Sequence, residues 1–290
     1  MSATKDEEVR TTPLPTGRNI PVLGQGTWGM GENAARRARE VSALRAGLDA
    51  GLMLIDTAEM YGEGGAEEVV GEAIEGRRRE VFLVSKVYPH NATGDGAIRA
   101  CERSLRRLKT DYLDLYLLHW RESEPLEEAF SAFRTLAQTG KIRDYGVSNF
   151  DVDDMEEADA LPGGDAIATN QVLYNPRRRG IEFDLLPYCR ARGIPIMAYS
   201  PLEGAGRERR DLLETRAIAR IASRHDATAA QIVLAWLLRH RGVVVIPKAG
   251  SVEHVLENRG ALDVALSNED MDEIDRAFLA PNAKVPLEMR

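Results

Sequence analysis

At 290 residues and 43% hydrophobic, the chain can bury a large core, and its length suits one α/β barrel as well as two ordinary domains. Its 38 Lys and Arg are interspersed among 46 Asp and Glu, a net charge of −8 without a long basic block, which argues against nucleic-acid binding through a broad positive surface. Only Cys101 and Cys189 are present, far apart and without CxxC or Cys/His ligand spacing, so neither a disulfide framework nor a structural zinc site is suggested; no apolar stretch approaches the roughly 20 residues of a membrane span, and a cytoplasmic protein is expected.

The charged opening MSATKDEEVR does not read as a signal sequence, and residues 1–10 are expected to be flexible. The next stretch, TTPLPTGRNIPVLGQGTWGM, reads as a hairpin with Thr16, Gly17, Arg18 and Asn19 at its tip and Leu14, Ile20 and Val22 as alternating apolar residues. From Ala34 onward, helix-period segments alternate with short apolar runs, the sign of βαβ units and a parallel sheet. The runs predict strands near residues 52–56, 81–86, 112–119, 144–148, 167–171, 194–199 and 243–247, with a weaker one near 262–264. Helices are clear in AARRAREVSALRAGLDAG, AIRACERSLRRLK, PLEEAFSAFRTLAQTG and ATAAQIVLAWLLRHRG, where apolar residues recur at three and four. Gly51, Gly140 and Gly242 stand where C′ glycines would end three of them. Eight strands with intervening helices predict an α/β fold, a single (β/α)8 TIM barrel over residues 1–290 with the hairpin closing its bottom.

Three of the strand runs, LMLID, VFLVSK and YLDLYLLH, end on a titratable group: Asp56, Lys86 and His119. Tyr61 follows in the loop after the first. In a parallel barrel the C-terminal strand ends meet at one mouth, so these four residues form one site however far apart they lie in sequence. A phenol with an ordinary pKa near ~10 needs a cation to stabilise its phenolate, which Lys86 can supply. Lys86 would itself be buried and needs a partner, which Asp56 can supply. His119 is placed to hydrogen-bond a substrate oxygen or to share a proton with Tyr61. Taken singly, each has a bland explanation: rim packing for Tyr61, a snorkelling lysine, a helix-capping Asp56, a satisfied structural histidine.

The segments GQGTWGMG, LIDTAEMYGEGGAEEVVGEAI, VFLVSKVYP, SLRRLKTDYLDLYLLHW, GKIRDYGVSNF, NQVLYNP, IPIMAYSPL and VVVIPKAGSVEHVLEN occur in this order across nearly the whole chain. In them the sequence resembles the aldo-keto reductases, and the family's Asp, Tyr, Lys and His tetrad falls on Asp56, Tyr61, Lys86 and His119. The resemblance implies reduction of aldehydes or ketones by NADPH bound in extended form at the barrel mouth, with Tyr61 as general acid. A slow, nicotinamide-binding regulatory or redox-sensing barrel is the alternative it leaves open. It also implies that Ser148, Asn149 and Gln171 hold the carboxamide, that Tyr199 stacks on the nicotinamide, and that Ser200, Pro201 and Leu202 follow the pyrophosphate. Gly26, Thr27, Trp28, Asp56 and Ile246 complete the cofactor's surroundings.

At the other end of the cofactor, the resemblance places Lys248, Ala249, Ser251, His254, Glu257 and Asn258 on the phosphate and adenine. Two of these depart from the family pattern: His254 replaces an Arg that often grips the 2′-phosphate, and Ala249 replaces a Ser. A neutral imidazole lacks the bidentate charged grip of a guanidinium, so NADPH is expected with NAD as a weaker alternative. Trp28, Tyr61, Tyr88, His119 and Trp120 are assigned to the substrate pocket, with Met30 and Met60 adding apolar surface. The short EGAGRERR segment and short tail leave little to enclose a bulky ligand, and the features are similar to bacterial reductases of methylglyoxal and other small aldehydes. The expected partner is a small carbonyl substrate, and the expected state a monomer.

Overall fold

In the computed structural model, residues 9–290 are described; most of the segment expected to be flexible, residues 1–8, lies outside them. Val9 and Arg10 are not loose: Val9 is buried, and the Arg10 carbonyl accepts from Val22 N at 2.9 Å. The hairpin follows as β1 (Thr11–Pro13) paired antiparallel with β2 (Asn19–Pro21), Gly17 taking the left-handed φ of 84° that its turn requires. Leu14 and Ile20 from the hairpin are buried in the same apolar cluster as Leu54, Phe82, Val84, Leu115, Leu117, Ala168, Met197 and Val244, the residues that fill the barrel interior. The hairpin is therefore the plug of the barrel floor, as expected.

Eight parallel strands make the barrel in sequence order: β3 (Gly24–Gly26), β4 (Leu54–Asp56), β5 (Phe82–Val87), β6 (Leu113–Leu118), β7 (Ile142–Ser148), β8 (Ile167–Leu173), β9 (Ile196–Tyr199) and β10 (Val243–Val245). Bridges from Leu23 to Val245 and from Gly26 to Lys248 close the ring. The first strand is one that the apolar pattern does not announce. It reads Gly-Gln-Gly because a Cβ on Gly24 would meet the Leu54 side chain at 2.5 Å and one on Gly26 would meet the Ile246 carbonyl oxygen at 2.7 Å. Gln25 between them is buried and donates to the carbonyls of Leu44 and Leu52.

The expected strand at 262–264 is not formed. Residues Gly260–Asp263 make a 3-10 turn, and Leu262 and Val264 pack as partly buried apolar residues against the outer core instead. With β3 already closing the ring against β10, no sheet edge remains for a further strand.

Among the described residues, eleven α-helices wrap the strands: α1 (Arg37–Asp49), α2 (Gly65–Ala73), α3 (Gly94–Leu108), α4 (Leu126–Gln138), α5 (Val152–Asp159), α6 (Leu185–Ala191), α7 (Arg207–Leu213), α8 (Arg216–Arg224), α9 (Ala229–Arg239), α10 (Val252–Arg259) and α11 (Asn268–Ala277). Their apolar faces and the outward faces of the strands form one continuous core layer. Asp151, Thr228 and Ser267 begin α5, α9 and α11 with reciprocal capping boxes, each worth about 1 kcal/mol. Gly51 and Gly140 follow the C-caps of α1 and α4 with positive φ, and Gly242 does so one residue later after α9.

Parallel pairing in this register brings Asp56 opposite Val84, Lys86 opposite Leu117, and Ser148 opposite Gln171, so the polar strand ends share one rim. At the opposite end Arg18 bridges Asp114 at 2.8 Å and Asp144 at 2.9 Å, and Arg78 also contacts Asp114 at 2.8 Å.

Candidate active site

Lys86, on β5, is wholly buried, and its ammonium has three N–H donors for which the structure offers three acceptors. Nζ lies 2.8 Å from Asp56 Oδ2, 2.9 Å from the Thr57 carbonyl and 3.2 Å from the Tyr61 hydroxyl. Burial lowers the Lys86 pKa, and Asp56 works against that by favouring the charged form. Asp56 is held in turn from its other oxygen by Gln171 Nε2 at 2.7 Å, a link across 115 residues of sequence.

Tyr61 opens the turn Tyr61–Gly64 and is nearly buried, with the Lys86 ammonium 4.8 Å from its ring centre. Its pKa lies well above the ordinary phenol value, first because of burial and then because of Asp56. Desolvation and the nearby carboxylate thus favour the neutral phenol, and the resting hydroxyl keeps its proton.

His119, just past β6, is also buried. Burial and the Lys86 charge bring its pKa down to about 2, so the imidazole is neutral at ordinary pH. Its Nδ1 is buried without a hydrogen-bond partner. A neutral imidazole does not share a cationic proton with Tyr61; it can donate or accept a single hydrogen bond.

Aromatic rings line the mouth around these groups. Trp28 meets the Tyr61 ring edge-on at 5.0 Å, Tyr61 meets His119 at 5.7 Å, His119 meets Trp120 at 4.9 Å, and Trp120 meets Tyr88 at 5.8 Å. Trp28 is 57% exposed, an apolar surface that the fold itself does not use. Trp120 fixes its indole by donating to Glu122 at 3.1 Å. Met30 does not join this wall, because it is fully buried in the outer core, and Met60 packs partly buried against that core.

The next rim sector joins Ser148, Asn149, Gln171 and Tyr199. Ser148 Oγ donates to the Gln171 carbonyl at 2.9 Å, Asn149 Nδ2 donates to the His119 carbonyl at 3.2 Å, and Tyr199 Oη donates to Asn149 Oδ1 at 3.0 Å. Asn149 is not the helix cap, a place that Asp151 takes; it sits at φ 59°, and Ser200 and Glu203 also have positive φ at 47° and 60°. Strained non-glycine backbone at strand ends is a feature of binding sites. Gln171 spends its amide nitrogen on Asp56 and on the Met197 sulfur, at 2.7 and 2.8 Å, which leaves its side-chain oxygen, Oε1, for a ligand.

Farther round the rim, Thr27 is buried and donates to the Asp56 carbonyl at 2.9 Å, and Gly26 pairs with Asp56 in the sheet. Pro201, Leu202, Ile246 and Ala249 are buried walls. Ser251 caps α10, accepting from His254 N at 3.4 Å; His254 is exposed, Glu257 half-buried and Asn258 buried. Lys248 is exposed and makes no side-chain hydrogen bond or ion pair among the described residues.

One cation in this sector was not singled out from the sequence. Arg209, in α7, is half-buried and donates to the Leu202 carbonyl at 3.4 Å; burial lowers its pKa, and the Glu257 charge partly offsets this. It lies in EGAGRERR, which the sequence offers only as a short charged segment. Two cations and a capped helix N-terminus fit a ligand that carries phosphate, and the buried, hydrogen-bonded rim sector fits a flat amide-bearing ring.

The description "Aldo/keto reductase family" applies to the family model that matches residues 22–278. The chain is 56% identical to the methylglyoxal reductase YeaE of Escherichia coli (strain K12), over 93% of this chain and 95% of that protein. It is 37% identical to a glyoxal reductase of Bacillus subtilis (strain 168), with 91% of each covered. A crystal structure of an aldo/keto reductase from Klebsiella pneumoniae in complex with NADP and acetate superimposes with a TM-score of 0.94 at 52% identity, covering 97% of this chain and 99% of that one.

Proposed function

The chain belongs to the aldo/keto reductase family, and from that premise we propose an NADPH-dependent reductase of small aldehydes and ketones, methylglyoxal among them, with Tyr61 as the proton donor. NADPH, when bound, supplies the hydride that the carbonyl carbon receives. Every other part of the work falls to the chain.

The observation that carries the reading is the set of three contacts around Lys86. Asp56 and the Thr57 carbonyl take two of its protons, and the third points at the Tyr61 oxygen, 3.2 Å away. Burial and Asp56 keep Tyr61 protonated, which suits a group that must give a proton away. When the phenol delivers its proton to the substrate oxygen, Lys86 already stands beside the phenolate that is left. The cation acts on the product of proton transfer, and such preorganised charge lowers the barrier without reorganisation. His119, neutral and next to Tyr61, orients the carbonyl through a hydrogen bond, while Trp28, Tyr88 and Trp120 exclude water from the small pocket beside it.

The carboxamide would be held by Ser148, Asn149 and Gln171, the ring by Tyr199, and the pyrophosphate by Ser200, Pro201 and Leu202. Gly26, Thr27, Trp28 and Ile246 would border it. Lys248 and Arg209 would share the 2′-phosphate, with Ala249, Ser251 and His254 beside it and Glu257 and Asn258 toward the adenine. In this reading Arg209 supplies the guanidinium that position 254 lacks. The four catalytic groups come from one chain, which supports a single domain acting as a monomer, and two free, buried cysteines support a cytoplasmic setting.

The test is oxidation of NADPH and of NADH by the purified protein with methylglyoxal, an aromatic aldehyde and a simple ketone. Turnover of methylglyoxal and small aldehydes with a preference for NADPH is expected. No turnover of any of the three would contradict the reading, and a preference for NADH would remove its cofactor half.

A further inference from the structure

On the face opposite the mouth, the N-terminal ends of β5, β6 and β7 surround a recess of about 870 Å³ whose lining carries five cations and one carboxylate, Asp111. The cations are Arg78 and Arg79 from the turn before β5, Arg106 and Lys109 from the end of α3, and Arg143 from β7.

Arg78 is the frame rather than a free charge. It donates to Thr110 Oγ1, to the Val81 and Tyr112 carbonyls and to Asp114, and its guanidinium lies 3.8 Å from the centre of the Tyr112 ring. Arg143 also lies against that ring, at 4.8 Å. Among the described residues, the side chains of Arg79, Arg106, Lys109 and Arg143 make no hydrogen bond or ion pair, and Arg79, Arg106, Lys109 and Arg143 are all exposed.

The recess on α11 and α8 provides a contrast. There Arg224 and Arg276 are met by Glu269, Asp270 and Glu273, and Arg224 is ion-paired to two of these. Favourable placement at a helix C-terminus accounts for Arg106 and Lys109 but not for Arg79 and Arg143, which come from other elements. Lys109 also holds a left-handed backbone at φ 53°, a place that glycine or asparagine fills at lower cost. Glu102 near Arg106 and Glu72 near Lys109 offset part of their charge from outside the lining, but within the concave surface the like charges still repel, on a chain whose net charge is −8, and a cleft concentrates their field.

We propose that this basal recess binds a small oligophosphate anion, either free or as the phosphate chain of a nucleotide. Arg79, Arg106, Lys109 and Arg143 supply charge-assisted hydrogen bonds from separate sides, and Arg78 and Tyr112 hold the recess in shape. The recess is open to solvent and has room for a phosphate chain. The site is independent of the catalytic mouth, which lies at the other end of the strands.

The test is calorimetric titration of the intact protein with inorganic triphosphate and, separately, with ATP. The cofactor site also attracts phosphate, so the Lys248→Met variant is titrated alongside Arg79→Gln/Arg143→Gln. Saturable triphosphate binding that persists in Lys248→Met, weakens at least tenfold in Arg79→Gln/Arg143→Gln and falls with added salt is the expected result. Tighter binding of ATP than of triphosphate would assign the site to nucleotides, and equal binding to the phosphate chain alone. Lys109→Gly removes a cation while relaxing the backbone, so it should fold and still bind more weakly. Absent saturable binding, or binding that the Arg79→Gln/Arg143→Gln pair leaves unchanged, would overturn the proposal.

Discussion

At the floor of the barrel Asp114 accepts from Arg18, from Arg78 and from the backbone of Leu83, and Asp144 accepts from Arg18, so each buried carboxylate is answered by fixed donors. At the mouth, Asp56 is answered equally well by Lys86 and Gln171, yet the chain of contacts runs on to a protonated phenol and stops at an imidazole whose Nδ1 has no partner. The carboxylates of both networks are buried, but the floor arginines are partly exposed where Lys86 is wholly buried. The two networks also differ in having, or lacking, a titratable group at the end that can pass on what it holds, and this separates a structural ion cluster from a catalytic one more clearly than burial does.

Substitutions at matching positions sharpen that contrast. The largest effect is expected for Lys86→Met, which leaves Asp56 buried without its cation: a loss of about 3–5 kcal/mol in unfolding free energy together with a fall in kcat of roughly a hundredfold or more. Adding Asp56→Asn should restore much of the stability and none of the activity, as measured by denaturant unfolding and steady-state rates. A stability restored together with kcat would erase the distinction between the two ends. Next comes Asp114→Asn at the floor, expected to cost about 1–3 kcal/mol, because its fixed donors lose a charged acceptor, while kcat and KM stay within about twofold of the parent's. A large fall in kcat at unchanged fold would show that the floor reaches the chemistry.

The smallest effect is an expected absence of one. With its pKa at about 2, His119 does not change charge across the neutral range, so the pH profile of carbonyl reduction should show no inflection near ~6.5, where an ordinary imidazole titrates. Tyr61 is raised above the usual phenol value, so the acid form persists as pH rises through neutrality. An inflection near ~6.5 that His119→Gln removes would show a charged histidine at work.

The polar strand ends are legible in the sequence because each follows an apolar run that only a buried strand explains, and order along the chain then suffices to place them on one rim. The first strand is not legible: Gly24, Gln25 and Gly26 carry no apolar signal, since the close approach of Leu54 and Ile246 is what demands glycine there. The same local view makes Leu262 and Val264 look like a strand, when their apolar side chains serve a turn packed on the outer core. Charge partners divide in the same way. The pairing of Lys86 with Asp56 follows from adjacent strands, whereas the bond from Gln171 to Asp56 crosses the ring and appears only once the barrel closes. Arg209 escapes notice because its neighbours in sequence are charged and exposed, and only the fold turns it inward toward Leu202.

The central claim is that Tyr61 gives the proton while Lys86 and Asp56 position and steady it. Its most direct test is Tyr61→Phe, with NADPH binding by fluorescence quenching and kcat for methylglyoxal reduction measured on the same preparation. A drop in kcat of roughly a hundredfold to ten-thousandfold, with NADPH affinity within a few-fold of the parent's, is the result expected here. Turnover that survives the loss of the hydroxyl would contradict it.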